Sequence, residues 1–483
     1  MVDDLFYIKK YNEAYIQVIG SNKGIEKELS DQFQFTVPGF KFMPAYKRGV
    51  WDGKIRLYNT TTNLIYSGLF NHIKDFAEKR SYELDYDHSE FAETNFSKQE
   101  ALEFISTLDL PFQPRDYQLE AFITCIRSNR RLVLSPTASG KSFIIYLLAQ
   151  YYNLKTLIIT PTTSLVHQLA DDFISYGYKD ELHKIYSGKD KETDCTISIT
   201  TWQSIFRLSK DWFNQFDLVI VDEAHLAKAN SITRILTNLT QCKHRFGFTG
   251  TLDGAQTSAM VLTGLFGPIH KVISTSKLIE DKHLAEFKIK CIVLHYSEEN
   301  KKLLKQASYQ DELDFIVSNK KRNQFIQKLV YSLSGNTLIL FQFIEKHGDI
   351  LVKLIRKETD RSVYYIHGGV DGSYRNDIRA LVEEQTDAII IASAATFSTG
   401  INIKNLKNII FASPSKSRIR TLQSIGRVLR KSETKTEAEL YDIADNITLS
   451  KRKNYTLIHF LERLKIYQQE QFPYKIYNVD LKE

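Results

Sequence analysis

Short, uninterrupted apolar segments recur along most of the chain and alternate with longer amphipathic stretches. The first set is Arg131–Ser135, Thr156–Thr160, Thr196–Thr200, Leu218–Val221 and Phe246–Thr249. These segments are rich in Val, Ile, Leu and Thr and lack alternating polar residues. Such segments are typical of strands that are buried on both faces of a parallel sheet, with helices as crossovers.

The same pattern starts again in the second half of the chain. Its segments are Ile289–His295, Leu338–Phe343, Val363–Ile366, Ala388–Ala392, Ile409–Ala412 and Glu439–Ile443. The recurrence predicts two consecutive doubly wound α/β domains. We expect them at residues 111–280 and 281–450, with the boundary near Lys277–Phe287.

The remaining regions have other patterns. Residues 1–92 combine a β-like stretch, Tyr7–Ile19, with helical patterns at Gly24–Phe33 and Phe70–Arg80. We expect a small α+β domain there, followed by a connecting helix at 93–110. The charged tail, 451–483, is predicted to be a helical extension.

Composition narrows the class of protein. The 483 residues are 43% apolar and 25% charged, which are globular values that exclude disordered and collagen-like chains. The net charge of +7 allows a polyanionic partner without establishing one. The four cysteines form no CxxC pair, so a zinc ribbon is excluded. Because no signal peptide or apolar stretch of roughly 20 residues occurs, we expect a cytoplasmic protein without a membrane span.

The sequence SPTASGKS at residues 135–142 follows a predicted strand and precedes an apolar helix. A phosphate-binding loop needs this context, because backbone N–H groups and the helix N-terminus face the anion. Lys141 would reach the β and γ phosphates, and the Ser142 hydroxyl would bind Mg²⁺. Ser135 stands where the strict pattern has glycine, so a chance strand–turn–helix corner is the alternative. The predicted nucleotide contacts of this loop are Ser135, Pro136, Thr137, Ala138, Ser139, Gly140, Lys141 and Ser142.

About 80 residues later, an apolar strand ends in the acidic sequence Asp222-Glu223-Ala224-His225. Ligands bind at the carboxyl ends of strands in open α/β sheets. We therefore predict that Asp222 holds Mg²⁺ and that Glu223 orients and deprotonates an attacking water. A solvated acidic strand end is the alternative for this motif taken alone.

A phosphate loop followed by this acidic motif resembles the superfamily 2 helicases and translocases. That resemblance implies two RecA-like domains that use ATP and Mg²⁺. It assigns Arg115 and Gln118 to the adenine base, and Thr162 and Thr201 to the nucleic-acid backbone. Further segments resemble the family's remaining motifs in order, and together they cover residues 111–445: Phe248–Thr251, Ser398–Asn402 and Gln423–Arg430.

Two of those motifs carry predicted nucleotide contacts in the second α/β domain. Gly400 and Asn402 match a nucleotide-binding motif, although many relatives carry an acid at the position of Asn402. Arg427 and Arg430 are three residues apart on one helix face, where both would stabilise charge on the γ-phosphate if the two domains close over ATP. Solvation of the helix or contact with DNA phosphates is the alternative for these arginines.

Charge placement suggests a polyanion. The segment from Ile401 to Lys431 contains eight Lys or Arg residues and no acid. Lys416, Arg418 and Arg420 would line a strand-binding groove, unless the run is simply a solvated face.

A second basic segment, Phe40–Tyr58, interleaves five cations with five aromatic residues. Phosphate contacts combined with stacking surfaces suit DNA, whereas the alternative is a hairpin whose aromatic residues form a small core. The DNA-binding candidates in this segment are Lys41, Tyr46, Lys47, Arg48, Trp51, Lys54 and Arg56.

Within this segment, Gly49–Leu57 resembles the N-terminal domain of the phage UvsW-type recombination helicases. The resemblance implies ATP-driven work on branched DNA, namely branch migration, fork regression and the dissolution of D-loops and R-loops. We expect a monomeric or weakly associating ATP-dependent DNA helicase whose partners are forks, Holliday junctions, D-loops and R-loops. An RNA helicase would share the same motor motifs, and a double-strand translocase without unwinding activity also remains an alternative.

Overall fold

The computed structural model describes residues 4–481, apart from 38, 187, 226–229, 253–255, 401–402, 416, 432–434 and 450–452. The chain forms two compact units, namely residues 1–135 with 140–272, and residues 273–483 with the segment 136–139. Within the described ranges, none of the helices combines the length and the apolar character that a membrane span requires.

The first unit begins with a small α+β domain. Its elements are β1 (Leu5–Lys10), β2 (Tyr15–Gly20), α1 (Lys23–Gln32), β3 (Gln34–Thr36), α2 (Pro44–Lys47), β4 (Lys54–Arg56), β5 (Leu64–Tyr66), α3 (Phe70–Arg80) and β6 (Glu83–Tyr86). Four strands form a sheet in the order β5-β2-β1-β6, while β3 and β4 pair as a separate antiparallel ribbon. Alternate residues of the central strands, such as Phe6 and Val18, enter a core that α1 and α3 help to form.

An α/β domain completes the first unit. Its elements are α4 (Lys98–Ser106), α5 (Asp116–Ser128), β7 (Arg130–Leu134), α6 (Lys141–Tyr152), β8 (Thr156–Thr160), α7 (Thr163–Ser175), β9 (Leu182–Ile185), β10 (Ile197–Thr201), α8 (Trp202–Ile205), α9 (Lys210–Phe213), β11 (Leu218–Val221), α10 (Asn230–Asn238), β12 (His244–Thr249), α11 (Gln256–Phe266) and β13 (Ile269–Lys271). Its strands form a parallel sheet in the order β13-β7-β12-β11-β8-β10-β9. Apolar clusters lie against the sheet, as the uninterrupted apolar segments predict.

The small domain packs closely on α11 of this α/β domain. A Cβ added at Gly68 would lie 2.1 Å from the carbonyl oxygen of Thr263, so only glycine allows this approach. On the other side of the contact, a Cβ added at Gly264 would lie 2.7 Å from the ring of Tyr66. The two domains therefore belong to one compact unit through direct backbone packing.

The second unit contains another parallel sheet. Its elements are α12 (Thr275–Glu280), β14 (Glu286–His295), α13 (Glu298–Leu303), α14 (Tyr309–Ser318), α15 (Lys320–Ser332), β15 (Thr337–Phe341), α16 (Asp349–Arg356), β16 (Val363–Ile366), α17 (Gly372–Glu384), β17 (Ile389–Ser393), α18 (Ala394–Gly400), β18 (Asn408–Phe411), α19 (Arg418–Val428), β19 (Glu437–Asn446), α20 (Tyr455–Gln469) and β20 (Tyr474–Asp480). The strand order is β16-β17-β15-β18-β19-β14-β20. The predicted fold class, two doubly wound parallel sheets with a small α+β domain, is confirmed.

The charged tail differs from its prediction. It is helical in α20, but its last part forms the strand β20, which pairs in parallel with β14 at the edge of the second sheet. The prediction of a wholly helical extension at 451–483 is therefore wrong for Tyr474–Asp480. The physical reason is that β20 lies at a sheet edge, where most of its side chains stay exposed, so the segment lacks a continuous apolar signal.

Buried ion pairs attach α20 and α15 to the second sheet. Asp442 on β19 accepts hydrogen bonds from Arg463 Nη2 at 2.7 Å and from the Tyr467 hydroxyl at 2.8 Å. Arg322 pairs with Asp445, three residues further along β19, at 2.8 Å. All these groups are excluded from water, so each charge depends on its partner.

Replacement of Arg463 by alanine would leave the Asp442 carboxylate buried without its cation. We expect Arg463→Ala to lower the free energy of unfolding of the second unit by about 3–5 kcal/mol, measured by urea denaturation. Lys465→Ala is the matched control, because Lys465 forms only an exposed pair with Glu462 on the same helix and should cost about 0–1 kcal/mol. Equal losses in the two variants would contradict this account.

Candidate active site and nucleic-acid surface

The phosphate loop connects β7 to α6 and has the backbone geometry that an anion cradle requires. Ala138 and Gly140 have φ angles of 69° and 82°, in the left-handed region. Ser139 Oγ donates to the carbonyl oxygen of Pro136 at 2.7 Å, and Lys141 Nζ donates to that of Ser135 at 3.4 Å. The loop is thus held in its turn by its own side chains, directly before the N-terminus of α6.

Gln118, the predicted adenine contact, packs against this loop. Its Oε1 accepts from the backbone N–H of Arg115 at 2.9 Å, at the start of α5. A Cβ added at Gly140 would lie 2.4 Å from Gln118 Nε2, so the glycine makes room for the amide. Arg115 in turn donates to the Tyr117 hydroxyl at 2.8 Å. The base-reading motif and the phosphate loop therefore form one continuous surface.

Ser142, the predicted magnesium ligand, shares a hydrogen bond of 2.8 Å with the Tyr176 hydroxyl. Tyr176 follows α7, and its ring packs edge-on against Phe143, with ring centroids 5.1 Å apart. The sequence analysis missed Tyr176, because a contact over 34 positions leaves no spacing signal. The Tyr176 hydroxyl is thus placed to orient the Ser142 hydroxyl.

The acidic motif follows β11 at the carboxyl edge of the first sheet. Glu223 has a φ of 53°, a conformation that is uncommon outside glycine, and its N–H donates to Asp222 Oδ1 at 2.9 Å. Burial and the neighbouring Glu223 carboxylate raise the pKa of Asp222 to about 6, while Lys141 and His225 act in the opposite direction. A cation bound here would offset the cost of two adjacent carboxylates.

His225 connects the acidic motif to the next strand. Its Nδ1 lies 3.2 Å from Glu223 Oε2 and 3.0 Å from Thr249 Oγ1, at the end of β12. The imidazole of His225 therefore links Thr249, in the motif Phe248–Thr251, to Glu223, the predicted catalytic acid.

The two threonines predicted to contact a nucleic-acid backbone lie after neighbouring strands. Thr162 caps α7, where its side chain accepts from the N–H of Leu165 at 3.4 Å. Thr201 ends β10, which pairs with β8, and its hydroxyl lies 2.9 Å from Ser204 Oγ. Both residues therefore share the carboxyl edge of the sheet with the phosphate loop.

In the second unit, the predicted arginines lie at the end of α19. The guanidinium of Arg427 lies over the ring of Phe397, at 5.8 Å from its centroid. Arg430 follows two residues after the last residue of the helix. The contact with Phe397 thus positions the Arg427 guanidinium within this unit.

Lys435 was not predicted as a site residue, yet its side chain holds the end of the arginine helix. Its Nζ donates to the carbonyl oxygens of Arg430 at 2.8 Å and Lys404 at 3.1 Å, and to that of Val428. Burial, and then the charge of Arg430, lowers the pKa of Lys435 to about 7. A lysine at a helix C-terminus interacts favourably with the exposed carbonyls.

Several predicted residues of the second unit cannot be placed in this way. Asn402 and Lys416 lie outside the described residues. Gly400 ends α18, and Arg418 and Arg420 lie in α19, but the description covers only their backbone. Their contributions to nucleotide and DNA binding stay predictions.

In the basic segment of the N-terminal domain, some candidate side chains bond to other residues of the segment and others are simply exposed. Trp51 Nε1 donates to the carbonyl oxygen of Lys54 at 2.8 Å, and Arg56 pairs with Asp52 at 2.5 Å. Lys47 and Arg48 are exposed. The remaining candidates of this segment are exposed or half-buried: Lys41, Tyr46 and Lys54.

Family models match three parts of the chain. The model described as the N-terminal domain of DNA helicase UvsW matches residues 5–87. The model of the type III restriction enzyme res subunit matches residues 111–254, and that of the helicase conserved C-terminal domain matches residues 320–432.

Individual proteins are similar over most of the chain. The chain is 37% identical to the ATP-dependent DNA helicase uvsW of Enterobacteria phage T4, over 94% of this chain and 95% of that protein. It is 26% identical to the putative ATP-dependent helicase IRC3 of Saccharomyces cerevisiae, over 68% of this chain and 51% of that protein. The crystal structure of T4 UvsW covers 99% of this chain with 34% identity and a TM-score of 0.53. The chain therefore belongs to the UvsW family of ATP-dependent DNA helicases in superfamily 2.

Proposed function

We propose that this protein couples ATP hydrolysis to the remodelling of branched DNA, including branch migration, fork regression and the unwinding of D-loops and R-loops. One observation carries the proposal: the carboxyl edge of the first sheet brings together the phosphate loop, the acidic motif and the two backbone-contacting threonines. The proposed nucleotide site and the proposed contacts with the DNA strand thus lie on the same rigid edge of the sheet. A displacement of residues at one of them therefore shifts residues at the other.

The residues of the first unit account for binding and attack. The backbone N–H groups of residues 137–142 and the Lys141 ammonium bind the phosphates, while Arg115 and Gln118 bind the base. The Glu223 carboxylate orients the attacking water and accepts its proton. His225 holds that carboxylate and connects it to Thr249.

The donor set of the site fits Mg²⁺. Ser142 and Asp222 offer one hydroxyl and one carboxylate oxygen, which are the hard ligands that Mg²⁺ takes alongside phosphate oxygens and water. The raised pKa of Asp222 marks a carboxylate whose charge is poorly compensated in the protein alone. When bound, Mg²⁺ would neutralise charge on the β and γ phosphates.

We further propose that Arg427 and Arg430 stabilise negative charge on the γ-phosphate, and that Gly400 and Asn402 contribute to nucleotide binding. An inserted arginine is worth about 10³–10⁵ in rate in phosphoryl transfer. The hydrogen bonds from Lys435 Nζ to the backbone at the end of α19 support this role, because they limit how far the arginines can shift.

For DNA, the proposal assigns backbone contacts to the first sheet edge, to the second unit and to the N-terminal segment. The residues are Thr162, Thr201, Lys416, Arg418, Arg420, Lys41, Tyr46, Lys47, Arg48, Trp51, Lys54 and Arg56. We propose that residues 1–92 form a DNA-binding domain, 93–110 a connector, and 111–280 and 281–450 the motor domains, with strand β20 of the tail completing the second motor sheet. The protein would act as a monomer in the host cytoplasm.

ATPase and unwinding assays on forks, four-way junctions, D-loops, R-loops, plain duplexes and RNA test the proposal. We expect hydrolysis to be stimulated most by branched DNA. Stimulation by RNA alone would support an RNA helicase instead, and translocation on duplex DNA without strand separation would support a translocase.

Removal of the predicted catalytic groups should abolish hydrolysis. We expect Lys141→Ala and Glu223→Gln each to lower DNA-stimulated ATPase by at least about 10²-fold, with unchanged circular dichroism, because phosphate binding or proton acceptance is lost. Lys179→Ala and Glu181→Gln, which change exposed residues of the same domain, should retain activity. Normal hydrolysis by Lys141→Ala or Glu223→Gln would refute the site assignment.

Lys435 provides a test of the arginine helix. We expect Lys435→Met to lower kcat for ATP about 10-fold while KM changes little, because the arginines lose their fixed position. Lys321→Met, at an exposed position of the same unit, should match the wild type. A change in KM alone, or a loss explained entirely by the melting temperature, would contradict a positioning role.

The exposed cations of the N-terminal segment should contribute phosphate contacts. We expect the double variant Lys47→Ala/Arg48→Ala to weaken fork binding and to reduce the slope of log K against log salt by about 2, since each phosphate contact contributes about 0.9. Basal ATPase should not change. Lys27→Ala, which alters an exposed cation of α1 in the same domain, is the control, and an unchanged salt slope in the double variant would argue against these contacts.

A further inference from the structure

Two apolar side chains in the basic segment of the N-terminal domain are highly exposed to solvent. Phe42 is 81% exposed and Val50 is 73% exposed, the two highest values among large apolar side chains in the described part of the chain. They flank the short helix α2, Phe42 before it and Val50 after it. The backbone N–H of Val50 donates to the carbonyl oxygen of Ala45, which fixes Val50 beside the helix.

Their exposure is a consequence of a built loop. The ring of Phe40 packs edge-on against Tyr46, with centroids 4.6 Å apart, and lies so close to Gly53 that a Cβ there would come within 2.2 Å. Gly53 also has a φ of 81°, which favours glycine. The ring of Phe40 thus turns towards the ribbon, whereas that of Phe42, two residues later, remains in water.

Hydrogen bonds close the same loop from the other side. Trp51 Nε1 donates to the carbonyl oxygen of Lys54, and Asp52 pairs with Arg56 through both of its carboxylate oxygens. Trp51 and Arg56 therefore brace the loop. The exposed side chains of the loop include the apolar Phe42 and Val50 and the cationic Lys41, Lys47 and Arg48.

Exposed cations together with exposed apolar side chains suit unpaired, branched nucleic acid better than an intact duplex. Exposed cations fit phosphates, but an intact duplex hides the faces of its bases within the stack. Base faces become available where strands separate, and aromatic side chains stack on them. Exposed apolar side chains accompanied by exposed cations therefore fit a junction better than a uniform duplex.

We propose that Phe42 and Val50 form an apolar tip that contacts unstacked bases at the branch point, while Lys41, Lys47 and Arg48 bind the adjacent phosphates. This inference rests on the proposed action on branched DNA. It assigns to the N-terminal domain the recognition of the junction itself, and it gives a binding partner to the two most exposed large apolar side chains among the described residues.

The test compares the double variant Phe42→Ala/Val50→Ser with the wild-type full-length protein. A fork with unpaired arms and a blunt duplex of the same number of phosphates are bound at one salt concentration. We expect about 10-fold weaker binding of the fork and little change for the duplex, together with loss of the fluorescence change of a 2-aminopurine placed at the junction. Phe42→Trp, which keeps a stacking surface, should retain fork binding.

Other outcomes have defined meanings. Equal fork binding by the double variant and the wild type would overturn the inference, and so would equal losses for fork and duplex. Binding of anionic vesicles that the double variant loses, with fork binding intact, would overturn it in favour of a lipid surface. Failure of the wild type to prefer or unwind forks would instead refute the proposed function, whatever the variant does. Unchanged DNA-free ATPase and circular dichroism confirm that the variant is folded.

Discussion

Parallel pairing forces every strand of a sheet to end at the same edge, and the chemistry of this protein depends on that constraint. Residues distant in sequence follow β7, β8, β10, β11 and β12, yet their loops all open at one edge of the first sheet. Each loop can then contribute a single polar group, while the buried strands supply rigidity. The acidic motif and the phosphate loop need no direct sequence connection, because the order of the strands brings them together.

The same edge also brings two carboxylates together at a position with little access to water. Asp222 and Glu223 are adjacent, and the positive φ of Glu223 turns its side chain away from the ordinary strand direction. The pKa of Asp222 rises because burial and like charge both disfavour the carboxylate. Lys141 reduces this cost, and a cation bound at the site would reduce it further. Elsewhere in the chain, buried carboxylates such as Asp442 have permanent cationic partners, which suits a structural role.

The sequence predicted the parts of the fold that have a continuous apolar signal. Thr156–Thr160 and Leu218–Val221 lie in the sheet interior, and their predicted bounds agree with the structure. The edge strands β9 and β13 were missed, because their residues are partly exposed and the segments are short. Tyr176 and Lys435 were missed for a different reason. Each acts through a tertiary hydrogen bond, and neither its spacing nor its neighbours mark it as part of a site.

The basic segment of the N-terminal domain shows why composition alone could not assign its roles. Phe40 and Phe42 are the same residue type two positions apart, yet the first packs against Gly53 and the second is exposed. Arg56 and Arg48 are both exposed and differ only in their partners, since Arg56 pairs with Asp52 and Arg48 Nε donates to the carbonyl oxygen of Pro44. The two alternatives for this segment, a hairpin core and a DNA surface, are therefore not exclusive. Under our proposal, the packing of Phe40 against Tyr46 and beside Gly53 holds the loop in place, so that Phe42 stays available to a partner instead of being buried.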